Sequence, residues 1–129
     1  MNAIRWKSSL SVGEQVLDSD HLMLVRLLNA VWASGPSFAE VFGALIDYTT
    51  DHFEREEAYL ERIGYPDLDR HRALHGAFVE RMGHMLTAHA GNAMAPADDG
   101  VAEMLWDWLR THIQVEDQKY AVFAASLRG

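Results

Sequence analysis

Apolar residues along this chain recur at alternating steps of four and three, the spacing of one helical face. The first such stripe is Leu17, His21, Leu24, Leu28 and Val31; the second is Phe38, Phe42, Leu45, Thr49, His52, Glu56, Tyr59 and Ile63. A third runs through Leu68, His71, His75, Phe78, Met82, Met85 and His89, and a fourth through Val101, Leu105, Trp108, His112 and Val115. No segment alternates with a period of two over a useful length, so strands are not expected. Between the stripes stand Ser34-Gly35-Pro36, Gly64-Tyr65-Pro66 and the run Gly91-Asn92-Ala93-Met94-Ala95-Pro96. Glycine can end a helix in a left-handed conformation, and proline cannot continue the backbone ladder, so each break reads as a helix stop. Ser37 and Glu40 then have the spacing of a capping box, while Asp67 and Asp98 can cap the other two starts. The pattern predicts an all-α fold, an antiparallel up-down four-helix bundle. An N-terminal arm runs through about Ser11, and a short helical extension follows about Gln118.

The 129 residues, 49% of them apolar, suit a single domain spanning 1–129. With no cysteine there is no thiolate, so any metal must be held by His, Asp or Glu, as suits a reducing cytoplasm. The formal charge of −8, from 11 Lys and Arg against 19 Asp and Glu, opposes binding to nucleic acid. Neither a signal peptide nor a membrane-spanning run is visible, and the expectation is an unprocessed, soluble, cytoplasmic protein.

What sets the chain apart is the chemistry on its apolar faces. Every stripe carries histidine at an inward position: His21, His52, His71 with His75, and His112. A buried imidazole or carboxylate without a partner loses its hydration with no compensation. A lone core histidine usually finds a hydrogen bond, but five imidazoles and a glutamate aimed at one axis call for a metal. On a helix, residues four apart differ by about 40° and about 6 Å, so His52 with Glu56, and His71 with His75, can each reach one small cluster. His21 lies fourteen residues before the Gly35 stop and His52 fifteen after Ser37, which places them at one depth. His71, His75 and Glu56 match in the same way about Gly64. His84 falls about 180° round the helix from His75, and His89 roughly 21 Å along it, so neither belongs. After His112, a regular helix would present Glu116 at i+4, with Asp117 turned about 140° away; a π-bulge would bring Asp117 round instead.

Asp18-Ser19-Asp20-His21, His52-Phe53-x-x-Glu56, Gly64-Tyr65-Pro66 followed by His71-x-x-x-His75, and His112-Ile113-x-x-x-Asp117-x-x-Tyr120 together resemble the hemerythrin family, more narrowly its single-domain bacterial members. The resemblance runs from about Trp6 to Tyr120. It implies terminal imidazoles at His21, His52, His71, His75 and His112, and bridging carboxylates at Glu56 and Asp117. It therefore favours Asp117 over Glu116 and implies a distorted fourth helix. Asp20 departs from the pattern, standing where many relatives carry glutamine; the expected consequence lies in the partners of the ligands. Asp18, Asp20 and nearby acids are the candidates to hold the imidazole tautomers.

The implied cofactor is two iron ions, Fe2+ or Fe3+, sharing an oxo or hydroxo bridge. With octahedral ions, five imidazoles, two bridging carboxylates and the shared oxygen leave one coordination position open, on the ion held by His21 and His52. Zinc prefers tetrahedral sites and calcium or magnesium oxygen ligands, so this donor set suits a redox metal. The family comparison places Leu24, Phe53, Trp108 and Leu109 around the open position as a dioxygen pocket, though each also reads as ordinary core. Trp106 should face elsewhere. A dry pocket favours an oxygen carrier over an oxygenase. No Glu-x-x-His pair is present, which excludes the ferritin-like di-iron enzymes. The implied function is reversible dioxygen binding for storage, transport or delivery, with a transient protein acceptor and no membrane span. The alternatives are an O2 or NO sensor, or a peroxide- or NO-processing enzyme on the same site. Sensing usually needs an attached output domain, and this chain is expected to carry none.

Overall fold

A computed structural model of the protein describes residues 10–32, 38–90 and 99–128. The stop at Ser34-Gly35-Pro36, the Ser37 cap, the Gly91 to Pro96 run and the Asp98 cap lie outside the described residues. Four rods make up the fold: α1 (Gln15–Trp32), α2 (Phe38–Ile63), α3 (Leu68–Ala90) and a composite fourth. The fourth consists of α4 (Asp99–Thr111), a π-helical turn (His112–Asp117) and α5 (Gln118–Leu127), with helical backbone angles at both joints. Among the described residues there is no strand, and no helix is long and apolar enough to cross a membrane.

Two apolar layers sandwich a polar one, and their membership fixes the rod directions. One layer contains Leu24, Leu28, Phe42, Leu45, Phe78, Met82, Leu105 and Leu109. The other contains Val12, Leu17, Leu60, Tyr65 and Tyr120. α1 passes from Leu17 through His21 to Leu24, α2 from Leu45 through His52 and Glu56 to Leu60, and the order reverses again in α3 and the fourth rod. That alternation is the up-down antiparallel arrangement. Burying each leucine in these layers stabilises the bundle by about 1.5–3 kcal/mol, enough to force the intervening polar residues inside with their stripes.

The turn between α2 and α3 shows how sequence sets rod ends. Gly64 adopts φ 73°, the left-handed conformation. Its N–H donates to the Glu61 carbonyl at 3.1 Å, and the Tyr65 N–H donates to the Leu60 carbonyl at 2.9 Å. This is a complete Schellman cap, and the Tyr65 and Leu60 side chains share one apolar cluster. α3 opens after Asp67, whose carbonyl accepts from the His71 N–H at 3.0 Å. At the other end of the chain, Glu14 caps α1 by accepting from the Leu17 N–H at 2.8 Å.

Two expectations need correction here. Val115, read as part of the fourth stripe, is 48% exposed because the π-helical turn sets back the helix phase after His112. Asp18 is not a partner of the imidazoles. It accepts from the Ser11 hydroxyl at 2.6 Å and the Val12 N–H at 2.8 Å, and so pins the N-terminal arm to α1.

Candidate metal centre

The polar layer consists of Asp20, His21, Thr49, His52, Glu56, His71, His75, His112 and Asp117, all buried. Thr49 is satisfied locally, its hydroxyl donating to the Leu45 carbonyl at 2.6 Å. The rest converge. Glu56 stands between two sets of imidazoles and turns one oxygen to each. Its Oε2 lies 3.5 Å from His21 Nε2 and 3.4 Å from His52 Nε2. Its Oε1 lies 2.7 Å from His71 Nε2, 3.0 Å from His75 Nε2 and 3.9 Å from His112 Nε2.

Asp117 repeats the arrangement. Oδ2 is 3.3 Å from His21 Nε2, while Oδ1 is 3.2 Å from His71 Nε2 and 3.1 Å from His112 Nε2. The π-helical turn makes this possible, because an i→i+5 repeat superimposes Asp117 on His112 where a regular helix would separate them. Glu116, the alternative on a regular helix, points outward and pairs with Arg70 and Lys119. The structure thus brings together His21, His52, Glu56, His71, His75, His112 and Asp117. His84 is exposed, and the side chain of His89 lies outside the described residues.

Electrostatics inside the layer are those of anions caged by imidazoles. Burial alone would raise the Glu56 carboxyl, yet His112, His21, His52 and His71 around it hold it well below the usual carboxylate range. Asp117 is likewise held down, against both burial and the Glu56 charge, by His112 and His21. Burial disfavours the charged form of His21, but the Asp117 and Glu56 carboxylates outweigh it and raise the imidazole to about 10. The same opposition raises His112 to about 9 and His71 to about 8, and shifts His52 upward with Asp20 as a further partner.

The donor set fits bound metal better than it fits itself. Both nitrogens of His21 and both oxygens of Asp117 are buried without a hydrogen bond, so beyond ion-pair contacts of 3.1–3.5 Å their bonding capacity is unmet; a fully unpaired buried atom such as His21 Nδ1 costs about 1–3 kcal/mol. His75 Nε2 and His112 Nε2 face each other at 3.0 Å, about the separation of two nitrogens bound side by side to one ion at about 2.1 Å each. Ligand atoms of Glu56, His71, His75 and His112 all lie within 4.8 Å of one another, as do those of His21, His52 and Glu56. Five imidazoles with carboxylates, and no thiolate, suit a transition metal of intermediate softness.

Large apolar side chains close the layer on one side. Phe53 stacks on His75 with ring centroids 3.7 Å apart, and Trp108 stacks on His112 at 4.7 Å and on Phe78 at 3.7 Å. Leu24, Phe53 and Leu109 are buried in the same cluster, with Trp108 half-buried against it. Trp106, expected to face elsewhere, is half-buried against that cluster too.

Several residues that bond to the ligands were assigned no specific role from the sequence. Tyr120 donates from its hydroxyl to Glu56 Oε2 at 2.9 Å, and burial together with the Glu56 and Asp117 charges pushes it well above its usual range, so it stays a neutral donor. Its position three residues after Asp117 was the available signal. Glu57 Oε2 sits 2.9 Å from His75 Nδ1. Arg55 and Tyr48 flank Asp20, and their spacing of +3 and −4 from His52 places them on its side of α2.

The pattern defining the hemerythrin HHE cation binding domain matches residues 12–124 of this chain. A bacteriohemerythrin of Stenotrophomonas maltophilia is 32% identical over 127 residues, covering 94% of this chain and 81% of its own. Myohemerythrin-1 of Phascolopsis gouldii is 33% identical over 116 residues, 89% of each chain. A crystal structure of wild-type hemerythrin has the same fold, with a TM-score of 0.84 at 24% identity, over 93% of this chain and 96% of that one.

Proposed function

The chain belongs to the hemerythrin family, and from that premise we propose that it binds dioxygen reversibly at a pair of non-haem iron ions and acts as an oxygen carrier rather than an enzyme. One observation carries the reading: each of two buried carboxylates turns one oxygen toward His21 and the other toward the His71–His112 side. Carboxylates so placed could bridge two cations. His71, His75 and His112 would hold one ion, and His21 and His52 the other; Glu56 and Asp117 would span both.

The two sides differ by one imidazole, so an ion on the His21–His52 side would keep one more coordination position for an exogenous diatomic ligand. A pair of ferrous ions, one on each side, would supply two electrons to dioxygen and take them back on its release. The chain's own residues do the rest. Leu24, Phe53, Trp108 and Leu109 keep water and organic molecules away, which favours release of intact dioxygen over its reduction or use on a substrate. Asp20 and Glu57 accept from the Nδ1–H of His52 and His75, so that each Nε2 lone pair faces inward. Tyr120 orients Glu56 without contributing charge.

The test is iron loading under anaerobic conditions, followed by air and then inert gas. The expected result is two iron ions per chain and a charge-transfer band in the visible that appears with air and disappears without it. Irreversible oxidation on first exposure, or markedly less than two irons per chain, refutes the reading.

A further inference from the structure

Among the five imidazoles, His52 is gripped from behind by the most completely bonded acid. Its Nδ1 lies 2.9 Å from Asp20 Oδ2. The same oxygen accepts from Arg55 Nε at 2.8 Å, while Oδ1 accepts from Arg55 Nη2 at 2.8 Å and from the Tyr48 hydroxyl at 2.9 Å. Each oxygen therefore receives two donors, one of them from a forked guanidinium, the strongest geometry available to a carboxylate. An amide at position 20 could not serve, because its NH2 group would face donors wherever it turned. Asp20 is an obligate anion here, with its side chain only 6% exposed.

The other acid behind an imidazole is different. Glu57, on His75, is 24% exposed, and its approach to Arg72 is a single contact of 3.4 Å. His21 has no acid behind it, its Nδ1 being buried without a hydrogen-bond partner. The His21–His52 side thus carries one deeply buried negative charge that the His71–His75–His112 side does not match. Arg55 in turn reaches the surface, 41% exposed, with its guanidinium 5.5 Å from the Tyr48 ring centre.

We propose that Asp20 is a positioning residue that lends its charge through His52 to the less crowded side of the centre, with Arg55 setting from the surface how much of that charge His52 receives. The inference rests on the reading that two ions occupy this layer. A carboxylate on the far nitrogen makes an imidazole a stronger donor toward its metal. The ion beside His52 is then held more tightly and is stabilised in its higher oxidation state. Arg55 opposes this by sharing the same carboxylate, so the two residues should act with opposite sign.

Zinc serves as the probe, since it binds without redox chemistry. Titrations of metal-free protein are followed by long-range proton–nitrogen NMR of the imidazole rings, which reads the two sides separately at His52 and His75. Asp20→Asn should weaken zinc at His52 by about 10–100-fold, leave zinc at His75 unchanged, and move the His52 Nδ1–H resonance of the loaded protein upfield. Arg55→Met, a change at an exposed side chain, should tighten zinc at His52 and move that resonance further downfield. The proposal is overturned if Asp20→Asn leaves His52 unaffected or weakens both sides equally, or if Arg55→Met weakens His52 as a purely structural brace would. Should Asp20→Asn not fold, the sign of the Arg55→Met effect alone decides. Wild-type protein that takes up fewer than two zinc ions instead counts against the two-ion reading itself, whatever Asp20 does.

Discussion

Loading the metal-free protein should expel protons in a number that the cage geometry sets. An imidazole must be deprotonated at the nitrogen that binds. His21, His112 and His71 are raised to about 10, about 9 and about 8, because the Asp117 and Glu56 carboxylates outweigh burial. Near pH 7.5 the first two are almost fully protonated and the third is about three-quarters protonated, so these three sites contribute about 2.7 protons as metal enters, and His52, also shifted upward, adds to that. Near pH 9.5 the share of these three falls to about 1. Three ordinary histidines at about 6.5 would release only about 0.3 in total at pH 7.5. The assay is calorimetric titration with zinc in two buffers of different ionisation enthalpy, where the difference in heat counts protons directly. A release near 0.3, or one independent of pH between 7.5 and 9.5, would refute the reasoning that the carboxylates hold these imidazoles charged.

The same shifts determine how the metal-free fold responds to pH. All three imidazoles are raised above their unfolded value of about 6.5, so the stability they contribute is fully present below that pH. It is lost as pH climbs through 8, 9 and 10. Metal affinity runs the other way, strengthening over that interval as competing protons leave.

Three further outcomes follow from the geometry. Asp117→Asn should abolish binding of the second metal ion, whereas Glu116→Gln should leave stoichiometry at two and lose only an exposed pairing with Arg70; elemental analysis after desalting distinguishes them. His52→Ala should lower metal content on the His21 side and remove dioxygen binding, while His84→Ala, altering an exposed residue, should match wild type in the air-exposure spectrum. Gly64→Ala forces a Cβ into the left-handed region at φ 73°, which should lower unfolding stability by about 1–2 kcal/mol, read as a shifted denaturant midpoint with metal stoichiometry intact.

The sequence made the rods and five of the imidazoles legible for one reason: both depend only on helical phase. Leu17, His21 and Leu24 share a face because the period says so, and antiparallel packing between short turns then puts His21 level with His52 and His71 level with Glu56. The family model and the relatives bear out the hemerythrin resemblance. Phase arithmetic failed where the period itself changed. Between His112 and Asp117 the helix takes an i→i+5 turn, and nothing in Ile113, Gln114, Val115 or Glu116 announces it. Resemblance alone favoured Asp117, and Val115 was misplaced by the same shift.

The partners of the ligands were hidden for a different reason. Asp18 and Asp20 are two residues apart and face different ways on α1, so which of them meets His52 depends on how α1 is rotated against α2. That rotation is a property of the packed pair and not of either strip of sequence. Once α1 is seated by Leu17, Leu24 and Leu28, Asp20 faces the flank of α2 where Tyr48, His52 and Arg55 stand one turn apart. Asp18 is turned to the arm at Ser11 and Val12. The imidazoles at the centre are thus dictated by periodicity within a helix, and the charges behind them by the rotation between helices. It is in this outer layer that two chains with the same seven inward residues can hold the same metals with different strength.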